Sequence, residues 1–223
     1  MIELHRVSKL YDAGPQKIPA LTDVSFRIDK GEYVVVTGPT GAGKTTLLRL
    51  LYRDEVPTEG EVEVLGQPIT KLNRRQVQTL RRSIGVVFQD SKLLPGRTVY
   101  ENIAFVLRVT GTPRREITAR AFEALRAVGL SSRAQAYPSH LSQGEAQRAA
   151  LARAIVRRQP VLIADEPTGK LDEGLTAEVL SIIRDIWTGG TTVILATHQA
   201  RLAAALRRRT LVLEGGRLVK DQG

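Results

Sequence analysis

Several residue groups in this chain have the types and spacing needed to handle phosphate and water. Residues 38–46 read GPTGAGKTT, directly after the apolar run YVVVT and ahead of a leucine-rich segment. This is the G-x-x-x-x-G-K-[ST] pattern in its required strand–loop–helix setting. The loop comprises Gly38, Pro39, Thr40, Gly41, Ala42 and Gly43. Its glycines permit a tight turn and let backbone N–H groups face phosphate oxygens. Lys44 supplies a point charge for the β- and γ-phosphates, and Thr45 and Thr46 follow at the helix start, with the Thr45 hydroxyl suited to Mg²⁺. A second group lies in VLIADEP, residues 161–167, where a buried strand ends in two adjacent carboxylates. Asp165 suits a Mg²⁺ ligand and Glu166 a general base that polarises the attacking water. Alone, the pair also reads as acids capping a strand at the surface. Gln89 and His198 end the apolar stretches IGVVFQ and VILATH, where open α/β sheets usually place ligands. Gln89 can reach Mg²⁺ or the attacking water, and His198 the γ-phosphate. His5 and His140 have no comparable support.

A second phosphate cradle is predicted a hundred residues further on. The stretch HLSQGEAQRAALARAIV, residues 140–156, reads as a helix preceded by Ser142, Gln143 and Gly144. A helix start offers N–H groups without intrahelical partners, and its dipole favours negative charge.

These groups need elements to hold them. The first 35 or so residues read as strands. Leucines at 47, 48, 50 and 51 have helical spacing, and GEVEVLGQPI and SIGVVFQD read as further strands. From about 90 to 158 helical stretches dominate, in TVYENIAFVLRVTG, REITARAFEALRAVGL and the helix after Ser142. Strand–helix alternation then returns with VLIAD, EGLTAEVLSIIRDIW and TTVILATH, which predicts a parallel sheet with crossover helices. The tail TLVLEGGRLVKDQG predicts a hairpin turning at Gly215 and Gly216. The expected organisation is one domain over 1–223. Its α/β core takes residues 1–88 and 159–223, and a helical subdomain takes 89–158.

Composition narrows the function classes. The chain has no cysteine, so neither a disulfide framework nor a cysteine-based metal site is available. Its longest apolar runs are too short to cross a bilayer, and the start, MIELHRVSKL, lacks the apolar core of a signal peptide, so a soluble chain is expected. The net charge of +10 would suit a nucleic acid or an anionic surface. The arginines, however, are scattered in groups at 73–82, 114–115, 157–158 and 207–209, and only 4% of residues are aromatic. Without aromatics interleaved for base stacking, the arginines predict a solvated surface and no nucleic-acid groove.

The P-loop, Gln89, LSQGE, ADEP, GKLD and ATH occur in the order and at the spacings that resemble ABC-type ATPase domains, over essentially the whole chain. The resemblance implies an α/β P-loop NTPase of ABC type, with a mixed-sheet core, an N-terminal antiparallel β subdomain and an inserted helical subdomain. It implies ATP and Mg²⁺ as cofactors and hydrolysis by Glu166 with Lys44, Gln89 and His198. Thr45, Gln89 and Asp165 would hold the metal. It also implies a homodimer in the ATP-bound state, packed head to tail. Ser142 and Gly144 of one copy would then bind the γ-phosphate held by Lys44 of the other. In this pattern Tyr11 stacks on adenine, although it reads equally as a surface strand residue, and Asp172 in GKLD links the two nucleotide sites.

Two positions depart from the family pattern: Gln143 stands where glycine is usual, and Lys170 where a small or amide residue is common. A side chain at 143 would either crowd the nucleotide or hydrogen-bond it. A single cassette with a compact helical insert resembles the transporter type, whose membrane-spanning partner is a separate polypeptide docking near 89–105. There Leu93, Leu94 and Pro95 line a groove for the partner's coupling helix or simply pack in the core. LYRDEVPTEGEV, residues 51–62, together with GVVFQDSKLLPGRTVYENIAFVL, is similar to the bacterial cell-division branch of the family. The second stretch is shared with lipoprotein-release and macrolide-export ATPases. That branch implies a place on the cytoplasmic face of the bacterial inner membrane, held through the membrane partner. Two other classes stay open: a nucleic-acid-associated ATPase, favoured by charge alone, and a structural nucleotide binder, suggested by Gln143 and Lys170. Lys44, Asp165, Glu166 and His198 together argue against the latter.

Overall fold

A computed structural model describes residues 1–14 and 16–223. Along the chain run β1 (Ile2–Ala13), β2 (Gln16–Ile28), β3 (Tyr33–Thr37), α1 (Lys44–Leu51), β4 (Glu59–Val64), β5 (Gln67–Pro68) and α2 (Arg74–Arg82). There follow β6 (Ile84–Val87), α3 (Val99–Val109), α4 (Arg114–Ala127), α5 (Gln143–Ile155), β7 (Val161–Asp165) and α6 (Glu173–Thr188). The chain ends with β8 (Thr192–Thr197), α7 (Ala200–Leu206), β9 (Arg209–Glu214) and β10 (Arg217–Gln222). Two compact units divide it: residues 1–83 with 192–223, and residues 84–191. The second unit therefore takes in β6, β7 and α6 besides the helices expected over 89–158.

In the first unit an antiparallel sheet has the order β2–β1–β4–β5. The later half of β2 alternates in burial, with Leu21, Val24, Phe26 and Ile28 inward, as expected of a strand with one wet face. A second set of strands pairs β3 in parallel with both β8 and β9, while β10 returns antiparallel on β9. Every residue of β3 and β8 is buried, which is why both read as unbroken apolar runs. Helix α1 buries Leu47, Leu48, Leu50 and Leu51. Replacing any one of these by alanine removes contacts worth about 2–5 kcal/mol.

Two helices of this unit were not expected. Helix α2 buries only Leu80, so it shows no apolar stripe. Its start is secured by a capping box, in which Asn73 Oδ1 accepts from Gln76 N and Gln76 Oε1 accepts from Asn73 N. At its other end Arg81 donates to the carbonyls of Tyr52 and Arg53. The short α7 buries only Ala203.

In the second unit β6 and β7 pair in parallel, and α3, α4 and α5 pack on one another. The buried face of α5 is mostly alanine, at 149, 150, 152 and 154, so neighbouring backbone comes close. Helix α3 starts from a capping box between Thr98 and Glu101.

Candidate functional site

The predicted site residues fall in two sets, one per unit. The first unit holds Tyr11, the loop 38–46 and His198; the second holds Gln89, Ser142, Gly144, Asp165, Glu166 and Asp172.

In the first unit the loop between β3 and α1 wraps around a single cation. Lys44 is only 7% exposed, and its Nζ donates to the carbonyls of Gly38 at 2.8 Å and Pro39 at 3.0 Å. Glycine is required at two points of the wrap. Gly38 has φ +146° and a Cβ there would lie 2.0 Å from Leu213 O; Gly43 has φ +98° and a Cβ would lie 2.4 Å from Ala20 O. Gly43 is also the N-cap of α1, which has no side-chain cap and no acid in its first turn. The start of α1 thus lacks a capping side chain. A buried ammonium beside it makes a cradle for a polyphosphate. Thr45 is exposed and Thr46 half-buried at the start of α1. The Tyr11 ring is half-buried, with its hydroxyl 3.5 Å from Thr46 Oγ1 and Lys9 Nζ 5.0 Å from its centroid. The register Thr37↔Thr197 sets Gly38 and His198 side by side at the C-terminal ends of parallel β3 and β8.

In the second unit the α5 N-terminus is already occupied by its own side chains. Ser142 is the N-cap: its Oγ accepts from Glu145 N at 3.2 Å, and Glu145 Oε2 accepts from Ser142 N at 2.8 Å. That backbone bond, helped by Arg133 at 2.7 Å, holds the Glu145 carboxyl below the usual carboxylate range. The Ser142 side chain also hydrogen-bonds the Glu145 carboxylate, so the helix start is less bare than the sequence suggests. Gln143 is the first residue of α5 and is exposed. Gly144 is buried where a Cβ would lie 2.8 Å from Leu175 Cδ2, so glycine here also serves the packing of α6 on α5. Asp172 is the N-cap of α6, its Oδ1 accepting from Leu175 N at 2.8 Å.

The β6–β7 register, Val87↔Ala164, brings Gln89 and the Asp165–Glu166 pair to the same strand ends. Gln89, Gln143, Gln147, Glu166 and Lys170 line one cavity of about 220 Å³. Both departures from the family pattern therefore face the proposed base. Glu166 has φ +49°, a left-handed conformation that costs an L side chain energy and clusters at functional sites. Its carbonyl accepts from Gly169 N at 3.2 Å, and Thr168 O accepts from Leu171 N at 3.2 Å, forming a tight turn. Lys170 at its tip pairs with Asp90 at 2.7 Å. That hydrogen bond and charge hold the Asp90 carboxyl below its ordinary range.

Three further residues secure the loop after Gln89, and no local pattern points to them. Arg153 of α5 donates to the main-chain oxygens of Ser91 at 2.8 Å and Lys92 at 2.5 Å. Its burial pulls the guanidinium pKa down. Asn102, fully buried, accepts from Leu94 N at 2.7 Å and donates to the carbonyls of Leu94, Arg97 and Thr98. Asp90 is the third. Leu93 and Leu94 are half-buried and Pro95 exposed.

The donor sets suit the expected ligands. The buried ammonium and open helix start of the first unit suit phosphate; the Thr45 hydroxyl of that unit and the strand-end Asp165 of the second are each hard oxygen donors of the kind Mg²⁺ takes. Comparison with known proteins agrees with this chemistry. Residues 21–169 match the family model described as ABC transporter. The chain belongs to that family and is an ATP-binding, ATP-hydrolysing enzyme of it. It is 46% identical over 222 residues to the cell division ATP-binding protein FtsE of Streptococcus pneumoniae, covering 100% of this chain and 95% of the relative. The methionine import ATP-binding protein MetN of Myxococcus xanthus is 45% identical, but 99% of this chain spans only 67% of that relative. Among solved structures, the ATP-binding cassette MJ0796, a dimer in a post-hydrolysis state bound to ADP and Pi, superposes with a TM-score of 0.92 at 32% identity. That match covers 100% of this chain and 98% of the other.

Proposed function

We propose that this chain is the ATPase subunit of an FtsE-like membrane complex acting in bacterial cell division, with ATP and Mg²⁺ as its ligands. The observation that carries the chemistry is the buried Lys44 ammonium inside a glycine-built loop at an acid-free helix start. The division role is supported by similarity to FtsE over the full chain, at nearly full length of the relative.

In this reading Lys44 and the N–H groups at the α1 start bind the β- and γ-phosphates. The ring of Tyr11 stacks on adenine. Thr45, Asp165 and Gln89 would hold Mg²⁺, which when bound neutralises charge developing on the phosphates. Glu166 orients the attacking water and accepts its proton, and His198 donates to the γ-phosphate. Ser142 and Gly144 of a second copy contact the same nucleotide, with Asp172 linking the paired sites. ATP thereby favours the closed dimer, and loss of the γ-phosphate lets it open. The cycle drives an FtsX-like membrane protein docked near 89–105, on the cytoplasmic face of the inner membrane. Among the described residues no helix is long and apolar enough to cross a membrane, so attachment runs through that partner.

The test is a membrane pull-down with tagged Glu166→Gln protein, ATP and Mg²⁺. Hydrolysis should fall by about 10²–10⁴-fold with ATP binding kept, the range for losing a general base. Recovery of an FtsX-like protein supports the division role. A many-helix permease with a solute-binding protein replaces it with an ordinary transporter motor.

A further inference from the structure

The turn at residues 166–170 holds a conformation that its own sequence does not favour. Glu166 sits at φ +49° without being glycine, and such backbone persists only where its surroundings over-determine it. Three features do so here. Pro167 and Thr168 are buried, Thr168 to within 1%. Gly169 N donates back to Glu166 O. The exposed tip, Lys170, is pinned to Asp90, the residue after Gln89. That ion pair ties the tip of the turn to the loop after Gln89.

We propose that the Asp90–Lys170 pair is a positioning clasp, which holds Glu166 in its left-handed conformation beside Gln89 and thereby sets the rate of ATP turnover. The proposal rests on Glu166 being the base. It gives a role to Lys170, one of this chain's departures from the family pattern, and to Asp90. Neither residue touches the reacting atoms; both act through the turn. Lys92 Nζ, at 4.0 Å from Asp90, is the other cation in reach. It lies in the Gln89 loop itself, so it can neutralise Asp90 but cannot hold the turn. The informative variant is therefore at Lys170.

The experiment measures kcat and KM for ATP in the full chain at low and high ionic strength. Lys170→Met should lower kcat about fivefold and leave KM within about twofold, the scale of one partly exposed ion pair. Lys170→Arg should keep the wild-type rate. The reversed pair, Asp90→Lys with Lys170→Asp, should restore most of kcat. Raised salt should slow the wild type more than Lys170→Met, since only the wild type has the pair to screen. An unchanged or increased kcat in Lys170→Met, or failure of the reversed pair to restore it, overturns the clasp. Glu166→Gln, assayed in parallel, separates the two ideas. If it still turns over ATP, the assignment of the base falls; if it is dead while Lys170→Met is normal, only the clasp falls.

Discussion

The loop at residues 38–46 and the loop at 165–172 each follow a buried parallel strand, yet they are built from different materials. The first is main-chain architecture: glycines at positive φ, carbonyls gripping Lys44, and a helix start without side-chain caps. The second is a main-chain turn tied down by side chains: Lys170 on Asp90, Asp172 on Leu175 N, and nearby the mutual cap of Ser142 and Glu145. A main-chain cradle presents the same backbone donors whatever the salt or pH, and at Gly38 and Gly43 it leaves no room for an added atom. A side-chain frame accepts substitution and can be tuned by charge. The two departures from the family pattern, Gln143 and Lys170, both fall in or beside the second loop.

The largest expected effect tests the rigidity of the first loop. Gly43→Ala puts a Cβ 2.4 Å from Ala20 O, a backbone atom that cannot swing aside, and should weaken ATP binding about a hundredfold in a nucleotide titration. Wild-type affinity in that variant would end the contrast. Gly144→Ala is the matched case in the side-chain frame, because its Cβ would meet the flexible tip of Leu175 at 2.8 Å. The cost should be about 1–3 kcal/mol in urea unfolding, partly recovered by Leu175→Val. Asp172→Ala removes one N-cap and should cost about 1 kcal/mol by the same measurement.

The smallest effect concerns pH. The folded-state pKa of Glu145 is depressed, so its contribution is present above the unfolded value near 4.3 and is lost as pH falls through the folded value. Glu145→Gln should be less stable than wild type at neutral pH by at most about 0.5 kcal/mol, after allowing for solvent screening. The two unfolding midpoints should converge in acid. A gap that persists in acid would mean that packing, not charge, sets this helix start.

The materials also explain what could be read from the sequence. The first loop was legible because its pattern is local and its strand is a continuous apolar run. The order of strands and the helices rich in leucine or alanine were legible for the same reason. Helix α2 was not, because it buries only Leu80; its one signal was the capping-box spacing from Asn73 to Gln76. The same spacing runs from Ser142 to Glu145, a stretch that reads first as an anion site and turns out also to cap its own helix. The pairing of Asp90 with Lys170 joins residues 80 positions apart, and that of Arg153 with Ser91 joins residues 62 apart. Such contacts depend on how strands and helices are stacked, and local pattern carries no trace of them.

Arg153 grips the loop after Gln89 through the oxygens of Ser91 and Lys92, atoms that every amino acid possesses. The joint is therefore indifferent to which side chains occupy those two positions. Sequence drift at 91 and 92 leaves the mechanical connection intact, so relatives can exchange the chemistry displayed there without redesigning the part that holds it.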